Sequence, residues 1–162
     1  ELKEVCRYFH CEYLREVPEE KFYEDLNEVR KAAGDRAVLR AMHVYADHRK
    51  VTQEVEALRE GRFEDFKKLI IASGRSSFQY LQNVYPNSDV QNQSVSIGLA
   101  LSERILEGKG AWRVHGGGFA GTIQAFVPDD LVNTYKCEME KTFGEGSCYV
   151  LKVRKYGGMQ VL

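Results

Sequence analysis

Residues 111–127 read AWRVHGGGFAGTIQAFV, and they set a glycine-rich loop, Gly116, Gly117, Gly118, Phe119, Ala120 and Gly121, between two segments of β-type sequence. Glycine tolerates positive φ and lets another molecule approach the backbone closely. The spacing Gly116-x-Gly118-x-x-Gly121 matches the dinucleotide fingerprint, but that loop must feed a helix whose N-terminus holds the pyrophosphate. Here residues 122–127, TIQAFV, alternate, are rich in β-formers and stop at Pro128. No GxxxxGK[ST] run occurs either. The reading is therefore strand, glycine loop, returning strand. Its backbone N–H groups could form a concave nest for an anion; the alternative is a long hairpin loop that holds no ligand.

The run RVHGGGFAGTIQAFVP, residues 113–128, resembles the third, C-terminal glycine-rich motif of the superfamily of galactokinase, homoserine kinase, mevalonate kinase and phosphomevalonate kinase. It is most similar to the galactokinase form, Arg-x-Thr-Gly-Ala/Gly-Gly-Phe/Trp-Gly-Gly followed by a strand. Arg113, Gly116, Gly117, Gly118, Phe119 and Gly121 occupy matching places, while His115 replaces the threonine and Ala120 a glycine. A non-glycine residue in the left-handed region costs roughly 1–2 kcal/mol, so Ala120 implies negative φ or mild strain. A second segment, residues 71–78, IASGRSSF, resembles the family's Asn-x-Ser-His-x-Ser-Leu: Ser73 and Ser76 align and Gly74 stands in place of the histidine. Arg75 between them reads as a solvated helix-end cation or as an anion ligand. The family continues with a tyrosine and a Pro-Glu-Leu-Asp turn, and the corresponding run here is residues 80–89, YLQNVYPNSD, from Tyr80 to Asp89, in which the acidic element is altered.

The resemblance covers the family's C-terminal half and runs nearly from end to end of this chain. It implies an α+β fold with helices packed on a mainly antiparallel sheet, residues 1–162 forming one domain of a longer sugar kinase. A chain that opens on Glu1 rather than Met fits a fragment. The implied activity of the full-length protein is galactokinase, transfer of the γ-phosphoryl group of ATP to the 1-hydroxyl of galactose, with Mg2+. The family's Ser-rich phosphate loop, catalytic aspartate and arginine, and most sugar contacts belong to its N-terminal half, and neither the Gly-Leu-Ser-Ser-Ser type loop nor the Gly-Glu-His sugar signature is present in this sequence. The resemblance thus implies no catalytic residue here. Gly116, Gly117, Gly118 and Gly121 would line the cleft, with Arg113, His115 and Arg75 as accessory groups. ATP and Mg2+ would serve the full-length enzyme and not be bound by this chain alone. Its partners would be the missing N-terminal kinase domain and galactose or a related hexose, and the fragment alone would be inactive. Two other classes stand beside this reading: a noncatalytic module that binds a sugar or phosphate as a regulator, and a structural α+β interaction domain. A docked fragment should expose an apolar face where an autonomous domain would not.

Composition narrows the classes. The chain has 162 residues and 43% hydrophobic content, enough for one core that buries about two-thirds of the unfolded surface. Its 23 basic and 24 acidic residues are intermixed, so no basic stripe for nucleic acid exists. No apolar run approaches the roughly 20 residues of a membrane span, and ELKEVCRYF lacks the pattern of a signal peptide. A cytoplasmic protein is expected. Four cysteines are too few for a disulfide framework. Cys6, His10 and Cys11 share helical spacing, but Cys137 and Cys148 lack the short spacing of a zinc site, so no metal is expected and Cys6 and Cys137 read as small buried hydrophobes.

Periodicity predicts helices over 1–9 and 18–34, the latter burying Phe22, Leu26 and Val29 and ended by Gly34. Asp35 is expected to cap a helix to about 60, with Val38, Met42, Tyr45, His48, Val51, Val55 and Leu58 on its core stripe. His48 on that stripe reads as a packed core histidine, and His43 and Asp47 as neighbours able to hydrogen-bond, with no nucleophile assigned to them. A helix holding Phe63, Phe66, Leu69 and Ile70 is expected to be interrupted at 73–77 and resumed by Phe78, Leu81 and Val84. Residues 87–94 read as a loop and 95–106 as a helix. Asp129 and Asp130 read as caps of a helix burying Val132, Tyr135, Met139 and Phe143, followed by a strand over 147–153 and a turn at Tyr156-Gly157-Gly158.

Overall fold

Apolar residues recurring at three and four carry the chain through six helices before its first strand. These are α1 (Leu2–Tyr8), α2 (Glu19–Glu24), α3 (Leu26–Ala33), α4 (Asp35–Arg59), α5 (Phe63–Ser76) and α6 (Ser94–Leu106), followed by strands β1 (Ala111–Val114) and β2 (Ile123–Phe126) and helix α7 (Val132–Phe143). The computed structural model describes residues 1–119 and 121–153. The expected turn at Tyr156-Gly157-Gly158 and the backbone of Ala120 lie outside those residues. The chain divides into two compact units, Glu1–Phe126 and Val127–Leu162. The strands form a two-stranded antiparallel sheet, so the class is α+β, as the sequence implies.

In the first unit, α1, α2, α3 and the first half of α4 enclose one core of Val5, Phe22, Val29, Val38, Ala41 and Tyr45. The Tyr45 hydroxyl donates to the carbonyl of Val17 at 3.0 Å, and burial pushes its pKa up to about 12. Residues 18–34 make two helices rather than one, because the chain bends at Asp25 (φ −93°, ψ 11°). The face survives the bend: Phe22 and Val29 are fully buried. Gly34, at φ 84°, ends α3 and serves as N-cap of α4, so Asp35 is already helical and pairs with Arg30 instead of capping.

The long stripe of α4 is buried only as far as Tyr45. Val51, Val55 and Leu58 are about half exposed, and His48 is exposed while His43 is buried. The reason is that α4 changes partners along its length. Its first half packs on α1 and α3, whereas Ala57 turns a different face to Phe66, Ile70 and Ala111. One continuous periodicity therefore spans two burial faces.

Helix α5 runs unbroken through Ser76, and a π-helical turn, Ser77–Leu81, follows it directly. Gly74 does not interrupt α5; it brings the helix onto β1, where an added Cβ would lie 2.9 Å from Arg113 Cβ. Helix α6 packs on both strands, and Val84, Val95 and Val114 form a small core of their own. In the second unit α7 buries Tyr135 and Met139, but Phe143 and Cys137 are exposed. Asp129 and Asp130 form a 3-10 turn with Leu131 and make no side-chain cap. Among the described residues, 147–153 form no strand: alternation makes a strand only against a partner ladder, none of the described residues supplies one, and Tyr149, Leu151 and Val153 are more than four-fifths exposed.

Candidate functional site

The glycine-rich loop is the connection of the β1–β2 hairpin, whose pairs run from Ala111 with Phe126 to Val114 with Ile123. The amide of His115 donates to the Thr122 carbonyl at 3.0 Å and prolongs the ladder. Within the loop, Gly118 N–H donates to His115, Phe119 to Gly117 and Gly121 to Gly118. Three amides are thus engaged inside the loop and brace it from within. Gly116, Gly118 and Gly121 have φ of 58°, 82° and 82°. A Cβ added at Gly116, Gly117 or Gly121 would meet nothing within 4 Å, whereas one added at Gly118 would fall onto the carbonyl oxygen of Asn83.

Asn83 is delivered beneath the loop by the π-turn and by Gln82, a non-glycine residue at φ 52°, ψ 42°. That conformation costs roughly 1–2 kcal/mol and must be held by its surroundings. Arg40 supplies part of the hold: its Nη1 donates to the Tyr80 carbonyl at 2.8 Å, while its Nε pairs with Glu1 at 2.8 Å. Asn83 itself is buried and donates from Nδ2 to the carbonyl of Gly117 at 3.2 Å; its Oδ1 is buried with no partner among the described residues.

Beside β1 lies a half-buried polar patch. Ser73 donates to Asp47 Oδ1 at 2.5 Å, and His43 Nδ1 lies 3.0 Å from Ser76 Oγ, so two bonds tie α4 to α5. Asp47 is bonded to a different serine from the one facing His43, and Ser76 is buried; this is a structural tie, not a nucleophile–base–acid relay. Further along α4, burial lowers the pKa of Lys50 and raises that of Glu54, with Asp47 opposing the first shift and Arg113 the second. Arg113, at the foot of the loop, therefore shares one electrostatic environment with Asp47, Lys50 and Glu54. Its Nε donates to the Val114 carbonyl at 3.2 Å.

Burial also lowers the pKa of His43; Asp47 opposes this, while Lys50, Arg113 and Arg40 reinforce it. A histidine whose folded pKa is depressed takes up its proton in the unfolded chain first. Stability therefore rises with pH from the depressed value up to about 6.5 and falls as acid is added through that window. His43→Gln, which retains a partner for Ser76 and does not titrate, is expected to flatten that acid limb. Urea unfolding at pH 5 and pH 7.5 measures it, and equal slopes in both proteins would clear His43 of the effect.

The accessory residues do not all gather at the loop. His115 is exposed at its base, and Arg75 is exposed on α5, 3.9 Å from Glu103, a weak surface pairing. Among the described residues no group of three His, Cys, Asp or Glu side chains is placed to hold a metal ion, and no helix is long and apolar enough to cross a membrane. Asn83, Arg40 and the Asp47–Ser73 pair escape a reading of the sequence. Asn83 follows no turn or motif signal, and the pair is separated by more than a helix.

Helices with a two-stranded antiparallel sheet agree with the implied α+β class. No protein-family profile matches the chain. It is, however, 33% identical over 144 residues to a galactokinase of Thermotoga neapolitana, covering 83% of this chain and 39% of that protein. A galactokinase of Actinobacillus pleuropneumoniae is 31% identical over 128 residues (79% and 31%), and one of Haemophilus influenzae is 29% identical over 134 (83% and 33%). The chain spans about a third of the length of the curated relatives it matches. It resembles the C-terminal domain of a galactokinase.

Proposed function

We propose that this chain is the C-terminal part of an ATP-dependent sugar kinase, a galactokinase that forms galactose 1-phosphate, and that its glycine-rich loop lines the substrate cleft. The observation that carries the reading is the similarity to galactokinases over four-fifths of the chain. ATP and Mg2+ are the cofactors such an enzyme uses. On this reading the chain's part is to shape the cleft, and phosphoryl-charge stabilisation falls to residues of the longer protein outside it.

Two structural features support that division. Gly117 faces open space and has no positive φ, so a need for glycine there would come from a molecule outside the chain, whereas Gly116 and Gly121 are already favoured by φ of 58° and 82°. Val51, Val55 and Leu58 form an exposed apolar stripe on α4, and the remaining two-thirds of a galactokinase-length protein is the occupant we assign to it.

The test is an assay of ATP-dependent phosphorylation across a hexose panel, using the galactokinase-length protein that contains this chain, with the isolated chain alongside. The longer protein is expected to turn over galactose and the isolated chain to be inert. Gly117→Val should lower kcat/KM at least about tenfold in the longer protein, roughly 1.4 kcal/mol of transition-state stabilisation. In the isolated chain it should leave Tm unchanged, because the site is open. A longer protein that phosphorylates no hexose, with an isolated chain that binds galactose or phosphate, would replace the kinase by a regulatory binding module.

A further inference from the structure

We infer that Asn83 is the positioning residue of the glycine-rich loop, holding the Gly117–Gly118 peptide at a fixed height above the end of α5. The inference deepens the proposed function, and only its kinetic arm rests on it. Three independent features converge on this side chain. Its Nδ2 donates to the Gly117 carbonyl at 3.2 Å across a sequence separation that no local motif would bridge. Its Cγ and Nδ2 lie 2.8 Å from the place a Gly118 Cβ would occupy, so the loop rests directly on the carboxamide. And it is 4% exposed with Oδ1 unpartnered among the described residues, an arrangement that folding alone disfavours.

The surrounding chain is shaped to place it. The π-turn at Ser77–Leu81 and left-handed Gln82 turn the backbone sharply after α5, and Arg40 holds the Tyr80 carbonyl on the far side. π-turns and strained non-glycine residues concentrate where a side chain must be aimed. A Cβ added at Gly116, Gly117 or Gly121 would meet none of the described residues within 4 Å, so Asn83 grips the loop at Gly117 and Gly118 while its remaining glycines stay open. Asn83 touches the loop backbone and acts on any cleft ligand through it.

Two variants test this. Asn83→Leu has nearly the same shape and removes the donor together with the orphan acceptor, which spares the fold a second unpaired group. In the 162-residue chain, the amides of Gly118, Phe119 and Gly121 are expected to exchange about tenfold faster in this variant, the scale of one lost hydrogen bond. Those of β1 and α5 should keep their protection. Asn83→Asp puts an acceptor against the Gly117 carbonyl at neutral pH and a donor there once the carboxyl is protonated. Its loop protection, corrected for intrinsic exchange, should return as pH falls, while the wild-type loop shows no such recovery. In the galactokinase-length protein, N83D turnover relative to wild type should likewise recover on acidification.

Loop exchange unchanged in N83L, or accelerated in step with β1 and α5, would overturn the inference. So would an active longer kinase whose N83L and N83D forms match wild type across pH. A longer protein without hexose kinase activity whose loop still loosens in N83L would sink the kinase reading and leave the positioning role standing.

Discussion

Gly118→Val should destabilise the chain by about 3–5 kcal/mol and lower Tm by roughly 10 °C, the largest effect of any single change in the loop. Two costs combine. At φ 82° a β-branched side chain is strained whatever space surrounds it. The Cβ would also fall on the Asn83 carbonyl oxygen, a backbone atom held between the π-turn and the small core around Val84. A flexible side chain could swing away; this oxygen cannot. The neighbouring glycines give the control. Gly117→Val, in open space and without a positive φ, should leave Tm within about 2 °C, since open sites tolerate change within roughly 0.5 kcal/mol. Gly116→Ala should lie between them, with strain at φ 58° and no clash. Thermal melts of the three variants decide the matter. Equal losses at Gly117 and Gly118 would mean that the loop does not rest on Asn83.

The contrast between these glycines also shows how far the sequence could be read. All of them were visible as one run, and the hairpin was legible because residues 122–127 alternate and stop at Pro128. Which glycine has no room for a side chain was not legible, since that depends on Asn83, a residue thirty-five positions before Gly118. The helices were likewise legible in extent but not in orientation. Periodicity along α4 identified one stripe through His48 and Leu58, yet the core lies on that stripe only as far as Tyr45. Beyond it the helix meets α5 instead of α1 and α3, and burial follows the partner rather than the period. His43, not His48, is therefore the buried histidine, and its partner Ser76 comes from the next helix. Residues 147–153 show the same limit for strands: alternation was present, and among the described residues no ladder partner lies beside them.

Gly74→His, which restores the residue that the galactokinase resemblance places there, is expected to destabilise this chain by about 2–3 kcal/mol and lower Tm by roughly 5–10 °C. Helix propensity alone argues the other way, because leaving glycine in mid-helix gains up to about 1 kcal/mol. Packing decides. An added Cβ would lie 2.9 Å from Arg113 Cβ, 3.1 Å from Arg113 Cα and 3.2 Å from the Trp112 carbonyl oxygen, and two of those three atoms are backbone. β1 cannot retreat easily, since it is paired with β2 and packed on α6. Gly74→Ala, with the same Cβ and no further bulk, should lose less, because the helical gain offsets part of the clash. If the G74H protein instead melts within 2 °C of wild type, α5 must have moved off the strand. Ser73 and Ser76 would then shift relative to Asp47 and His43, which the NMR shifts of the His43 ring would report. A G74H protein with unchanged Tm and unshifted His43 ring signals would mean that the close approach of α5 to β1 does not hold in solution, and with it the geometry by which α5 reaches the loop.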